Sequence, residues 1–123
     1  MPFLKIQTSQ PLPAEDAKAL AGKASALVAE QLGKPERYVM TSVENNPAMT
    51  FAGTDAPLAF LELKSIGLPE SVTADASKVL CELVVSATGI DPERIYIEFS
   101  DAPRKMWGWN SATFYESVGF RRS

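Results

Sequence analysis

The sequence predicts an α/β fold: a duplicated strand–helix–strand (β-α-β) unit forming a four-stranded mixed sheet with two helices on one face. Three observations carry this. Segments of alternating apolar and polar residues are interleaved with two segments of helical apolar spacing. A short run recurs at the same point of each half, Gly33-Lys34-Pro35-Glu36-Arg37-Tyr38-Val39 and Gly89-Ile90-Asp91-Pro92-Glu93-Arg94-Ile95-Tyr96. The 123 residues, 46% apolar and 22% charged, have the balance of one globular domain. We therefore read residues 1–123 as a single domain, with pseudo-repeats at about 2–46 and 57–100 and a C-terminal tail at 102–123.

The elements follow in order. From Phe3 to Ser9, Leu4 and Ile6 point one way and Phe3, Lys5 and Gln7 the other, the signature of a strand. Pro11 and Pro13 break it, and Glu15 and Asp16 suit the first turn of a helix. Leu20, Ala24, Leu27, Val28 and Gln31 fall on one face of that helix, and Gly33 stands just past its end. Tyr38 to Val43 reads as a second strand, closed by the turn Asn45-Asn46-Pro47. Pro57 to Ser65 is a third, ended by Gly67 and Pro69. A second helix runs from about Ser71 to Thr88, with Val72, Ala76, Val79, Leu80, Leu83 and Ala87 on one face and Gly89 ending it. Ile95 to Phe99 is a fourth strand, and the tail from Ala102 reads as aromatic and irregular.

A strand–helix–strand crossover makes its two strands parallel and lays the helix on one face, almost always right-handed. Two units side by side put both helices on the same side. The other face stays uncovered, and in one register it carries Phe3, Met40, Phe60 and Tyr96. Uncovered apolar area of this kind predicts self-association.

Composition removes several chemistries. A net charge of −3 gives no field for gathering phosphates and argues against nucleic acid as a partner. With no histidine, the commonest general base and metal ligand is absent. Cys81 is the single cysteine, so no intrachain disulfide and no zinc cluster can form, and its apolar neighbours mark it as a small core side chain. The reading calls for no metal and no cofactor. The start Met1-Pro2-Phe3-Leu4-Lys5-Ile6 lacks a long apolar run, so we expect neither a signal peptide nor a membrane span. Cytoplasmic location is the default, with non-classical secretion as the other route.

Acid–base chemistry must then come from carboxylates, lysine, tyrosine, Cys81 or the chain terminus. Pro2 follows the initiator Met, and a small residue there permits Met removal, freeing a secondary amine. A chain α-amine titrates at about 7.7–8.0 in water, and apolar burial lowers that toward neutrality. Pro2 is thus a candidate general base at physiological pH.

The segments Met1-Pro2-Phe3-Leu4, Gly33 to Val39, Met49-Thr50-Phe51-Ala52-Gly53, Ser65-Ile66-Gly67, Ile95-Tyr96-Ile97-Glu98-Phe99 and Gly108-Trp109-Asn110-Ser111-Ala112-Thr113-Phe114 occur in this order. Together they resemble the macrophage migration inhibitory factor and D-dopachrome tautomerase family of the tautomerase superfamily, over nearly the whole chain. The resemblance implies a β-α-β-β-α-β subunit in a homotrimer whose sheets wrap a central channel, with active sites between subunits. It implies keto–enol tautomerisation of small aromatic 2-oxo acids of the phenylpyruvate type, with Pro2 as base. By the same resemblance, Lys34 holds the substrate carboxylate, and Ser65 and Ile66 form a wall and backbone segment of the pocket. Tyr96, Glu98, Trp109 and Phe114 line the site, some from a neighbouring subunit, and Tyr38 is the aromatic at its mouth. The chemistry agrees: removing a proton beside a ketone needs a base of near-neutral pKa, a cation for the carboxylate, and aromatic walls that exclude water.

The chain departs from that family's pattern at three places. Glu98 stands where animal members have asparagine, and a carboxylate there repels an anionic substrate, raises the amine's pKa, or pairs with Lys34 or Arg37. The segment Leu58-Ala59-Phe60-Leu61 lacks the Cys-x-x-Cys of members credited with thiol chemistry. Trp107 is bulkier than the family's usual residue and narrows the pocket. Two other readings stand beside the isomerase: a cytokine-like protein-interaction factor with vestigial catalysis, and an RNA-binding sheet, which the acidic balance disfavours.

Overall fold

The computed structural model describes residues 1–115. The far end of the tail, including Phe120, Arg121 and Arg122, lies outside the described residues. Strand β1 (Phe3–Thr8) leads to helix α1 (Ala14–Leu32) and strand β2 (Met40–Asn45); β3 (Ala59–Ile66) leads to helix α2 (Thr73–Thr88) and β4 (Ile95–Ala102). The strands form one mixed sheet in the order β2-β1-β3-β4. β1 is parallel to β2, β3 is parallel to β4, and β1 and β3 meet antiparallel at the centre.

The strand period decides what is buried. Leu4 and Ile6 on β1 and Ala59, Leu61 and Leu63 on β3 face the helices and are almost fully enclosed. Leu20, Ala24 and Val28 from α1 and Leu80 and Val84 from α2 complete that core, each one helical turn from the next along its own helix. Each large aliphatic buried this way contributes roughly 1.5–3 kcal/mol. The opposite sheet face carries Phe3, Met40, Phe60 and Tyr96, as the alternation implies, and Met40 and Tyr96 are 66% and 64% exposed. Among them stand charges: Lys5 lies 3.6 Å from Glu44 and 3.8 Å from Glu62, and Glu98 pairs across the ladder with Glu62.

Both helices stop at glycine. Gly33 and Gly89 have φ of 62° and 75°, the left-handed conformation in which a side chain is strained, and their amides close the last helical turn. Each helix is followed by a 3-10 turn, Glu36–Tyr38 and Pro92–Arg94, before the next strand begins.

Four expectations need correction. Tyr38 belongs to a 3-10 turn rather than to β2: Pro35 directs the chain into hydrogen bonds from Tyr38 N to Pro35 O (3.1 Å) and from Val39 N to Glu36 O (2.9 Å). The line buried along α2 is Ala76, Leu80, Val84 and Thr88, so Ala87 is exposed and Val79 and Leu83 are half-buried. Cys81 lies beside that line, half-buried rather than in the core. Burial first, and Glu82 second, push its thiol pKa up, which leaves it a protonated, weak nucleophile. Finally, the described chain after β4, as far as Thr113, is regular. A 3-10 turn (Arg104–Met106) leads into a small antiparallel hairpin, β5 (Gly108–Trp109) with β6 (Ala112–Thr113). Its connecting residues Asn110 and Ser111 both have positive φ (54° and 66°), as a tight two-residue hairpin turn requires. Among the described residues no helix is long and apolar enough to cross a membrane.

Candidate active site

The start of the chain forms the floor of a cavity. Met1, Pro2 and Phe3 meet Arg37, Tyr38, Val39 and Met40 on one side and Trp107, Gly108, Trp109 and Phe114 on the other, around about 360 Å³. Three local features bring them together. Pro2 continues the inward register of Leu4 and Ile6, so its ring is fully buried, while its carbonyl accepts from Met40 N at 3.0 Å and ties the chain start to β2. The turn at Glu36–Tyr38 lifts the Tyr38 ring off the strand. The hairpin folds back through a hydrogen bond from Phe114 N to Trp107 O at 2.9 Å.

The result is a continuous aromatic wall. Tyr38 meets Trp109 edge to face with ring centroids 6.0 Å apart, and Trp109 stacks on Phe114 at 5.8 Å. Trp107, half-buried, also lines the cavity.

Lys34 reaches the same floor from behind. Its Nζ donates to the Ile66 carbonyl at 2.9 Å, and the buried Ser65 hydroxyl donates to that same oxygen at 3.3 Å. The ammonium lies against the α-amine that begins the chain. In the chain with Met1 in place, that amine is lowered from 8.0 to about 6, first by burial and then by repulsion from, and hydrogen bonding with, Lys34. At pH 7 an amine of that pKa is about nine-tenths unprotonated, against about one-tenth at the ordinary value. The arrangement thus sets an amine of lowered pKa against the Lys34 side chain beside an apolar cleft.

Of the nine residues singled out in the sequence, four line the cavity: Pro2, Tyr38, Trp109 and Phe114. Lys34, Ser65 and Ile66 form one hydrogen-bonded group beneath it. Tyr96 and Glu98 are placed elsewhere within the chain. They lie on the uncovered face of β4, where Tyr96 packs on Phe51 at 4.7 Å between ring centroids. Glu98 makes no ion pair with Lys34 or Arg37 in the chain; among the described residues the ion pairs are those of Lys5.

Arg37 is not among those nine, yet among the described residues it is the one charged side chain that lines the cavity. Its signal in the sequence is its place three residues after Lys34 on a turn led by proline. Among the described residues no group of three or more His, Cys, Asp or Glu is placed to hold a metal ion.

The family model described as macrophage migration inhibitory factor (MIF) matches residues 1–115. The macrophage migration inhibitory factor of Mus musculus is 33% identical over 115 residues, covering 93% of this chain and 99% of its own. A homolog from Brugia malayi is 39% identical over 116 residues, with coverage of 93% and 99%. The crystal structure of a homologue from Prochlorococcus marinus has a TM-score of 0.86 at 45% identity, covering 91% of this chain and 98% of that one.

Proposed function

This chain belongs to the macrophage migration inhibitory factor family, within the tautomerase superfamily, and from that premise we propose that it is a keto–enol tautomerase of phenylpyruvate-like 2-oxo acids. Loss of Met1 leaves the secondary amine of Pro2 at the cavity floor as the general base. The amine takes a proton from the carbon beside the ketone. The electron pair released forms the carbon–carbon double bond as the carbonyl π pair moves onto oxygen. The protonated Pro2 amine returns a proton to that oxygen, directly or through water, which completes the enol and restores the free base. Lys34 holds the substrate carboxylate, its ammonium anchored by the Ile66 carbonyl, to which the Ser65 hydroxyl also donates. Tyr38, Trp109 and Phe114 enclose the aryl group and exclude water, which strengthens the Lys34 interaction.

The observation that carries this reading is the place of the chain start: Met1 and Pro2 line an apolar, aromatic-walled cavity with the Lys34 ammonium against the terminal amine, where burial and Lys34 lower the pKa of the Met1 amine. A base tuned toward neutrality and placed beside a cation is what proton abstraction from a 2-oxo acid needs.

The assembly proposed is a homotrimer. β2 and β4 each have an unpaired edge, and the sheet face bearing Phe3, Met40, Phe60 and Tyr96 is uncovered, so both need a partner surface. Tyr96 and Glu98 then line the site of a neighbouring subunit rather than their own.

Intact mass that shows loss of Met1, followed by phenylpyruvate enolisation by the wild type, by its α-amine-acetylated form and by Pro2→Gly, tests the proposal. Acetylation of the mature chain's α-amine removes the general base, so a loss of at least about a hundredfold against the unmodified wild type is expected, and equal rates overturn the proposal. Pro2→Gly, which keeps a primary amine, is expected to lose less and reports what the ring adds. The second reading, a protein-interaction factor, rests on the relatives' description as a migration inhibitory factor. An acetylated protein that loses enolisation but still binds a protein partner would assign that role to a separate surface.

A further inference from the structure

Two cations stand at the cavity, Arg37 in its lining and Lys34 beneath its floor, in a chain that has more carboxylates than cations, 15 against 12. Among the described residues neither is paired with a carboxylate. Lys34 is half-buried, anchored by the Ile66 carbonyl and set against the chain-start amine, where it faces the reacting end of the substrate. Arg37 is different. It is exposed, it lines the cavity, and its guanidinium is held in place by aromatic contacts rather than by an acid. The guanidinium carbon lies 4.7 Å from the centre of the Tyr38 ring, and one Nη donates to the Tyr38 hydroxyl at 3.4 Å.

A guanidinium laid across the wall of an aromatic cleft keeps most of its N–H donors unused. Its planar fork matches a carboxylate in two parallel hydrogen bonds, and its cost of ordering is reduced because Tyr38 already restrains it. Lys34 precedes Pro35 and lies at the chain-start amine, whereas Arg37 sits within the 3-10 turn and lies over the Tyr38 ring at the cavity.

Resting on the tautomerase reading of this same site, we infer that Arg37 is a specificity-determining residue for a second carboxylate, so that the preferred substrate class is an aromatic 2-oxo diacid. The 2-oxo acid end lies on Lys34, the ring lies along Tyr38 and Trp109, and a carboxylate on the far side of the ring reaches Arg37. An aryl 2-oxo acid with an unsubstituted ring leaves that guanidinium to water.

The test compares phenylpyruvate with 4-carboxyphenylpyruvate on the full chain, for the wild type, Arg37→Gln and Arg37→Lys. Binding is read by quenching of Trp107 and Trp109 fluorescence, and turnover is read separately. The wild type is expected to bind the diacid about tenfold more tightly, the scale of a charge-assisted hydrogen bond. Arg37→Gln brings the ratio of the two affinities close to one, and Arg37→Lys restores part of it, because charge returns without the fork. A ratio near one in the wild type, or the same ratio in all three proteins, overturns the inference while leaving enolisation of phenylpyruvate intact. An Arg37-dependent preference for the diacid without enolisation of either acid keeps the anion site and removes the tautomerase reading. A wild type that binds neither acid overturns both.

Discussion

The Nζ of Lys34 donates to the carbonyl oxygen of Ile66 at 2.9 Å, which joins the end of the first helix to the end of the third strand beneath the chain start. That one contact fixes where the cation stands. A lysine on a flexible stem costs entropy to localise, and an acceptor that is part of the sheet removes most of that cost before any substrate arrives. The cation then does two things in the proposed reaction: it attracts the substrate carboxylate, and it keeps the nearby amine unprotonated.

The second effect predicts a pH profile. The chain-start amine is held below its ordinary 8.0, at about 6 with Met1 present, by burial and then by Lys34. A base acts in its unprotonated form, so kcat/KM for phenylpyruvate rises with pH through the amine's pKa and levels off above it. In the mature chain the same burial and the same cation are expected to act on the Pro2 amine in the same direction. Lys34→Ala moves the midpoint of the profile upward, because the repulsion is gone, and raises KM about tenfold or more, because the carboxylate loses its cation. A profile unchanged by Lys34→Ala would show that the lysine does not act on the base.

Glu98 predicts a change in the opposite direction. If a neighbouring subunit delivers it to the site, its carboxylate repels the substrate and favours the protonated amine. Glu98→Asn is then expected to raise kcat/KM for phenylpyruvate about three- to tenfold and to move the midpoint of its pH profile downward, as the amine loses the anion that favours its charged form. An unchanged or lower rate would sink this account. Because Glu98 is exposed on the single chain, far from the core, the substitution should leave thermal stability within about 0.5 kcal/mol.

Much of the fold is legible in the sequence because its burial obeys simple periods. Leu4 and Ile6 alternate with Phe3 and Lys5, and Leu20, Ala24 and Val28 recur every four residues, so side and face follow directly. Gly33 and Gly89 mark the helix ends because only a left-handed residue closes those turns without strain. The placement of Tyr38 is not legible that way. It depends on a three-residue turn set by Pro35, and its alternation with Met40 imitates a strand. The hairpin at Gly108 to Thr113 escapes for a related reason: two-residue strands are too short to show a period, and Asn110-Ser111 is a weaker turn signal than Asn-Gly. For Arg37 the spacing from Lys34 past Pro35 marks a cation near the site, but the contact with the Tyr38 ring that aims its guanidinium is not written in that spacing.

Arg94 should control the position of Tyr96. Its guanidinium donates to the carbonyls of Pro57 (3.0 Å), Ala56 (3.0 Å) and Thr54 (3.3 Å), and it lies 5.3 Å from the centre of the Phe51 ring, which in turn packs on Tyr96. Arg94→Ala releases the segment between β2 and β3 and with it the Phe51 ring. The expected cost is about 1–2 kcal/mol in a urea titration, together with loss of the Phe51–Tyr96 ring contact in an NMR spectrum. Retention of that contact in Arg94→Ala would mean that Phe51 is placed by the backbone alone.

The two tryptophans of the cavity should behave differently when shortened. Trp109 carries the wall: it touches Tyr38 on one side and Phe114 on the other. Trp109→Val removes both contacts, so it should lower kcat/KM for every aryl 2-oxo acid and destabilise the hairpin. Trp107 is held through its backbone, whose carbonyl accepts from Phe114 N at 2.9 Å, and that bond survives a change of side chain. Trp107→Val therefore widens the cavity without dismantling its wall. Indolepyruvate, with a larger ring than phenylpyruvate, should gain on phenylpyruvate in relative kcat/KM, about tenfold for the space of a few methylene groups. If the ratio of the two substrates is the same in Trp107→Val as in the wild type, ring size is set elsewhere, and the neighbouring subunit's surface becomes the wall that limits it.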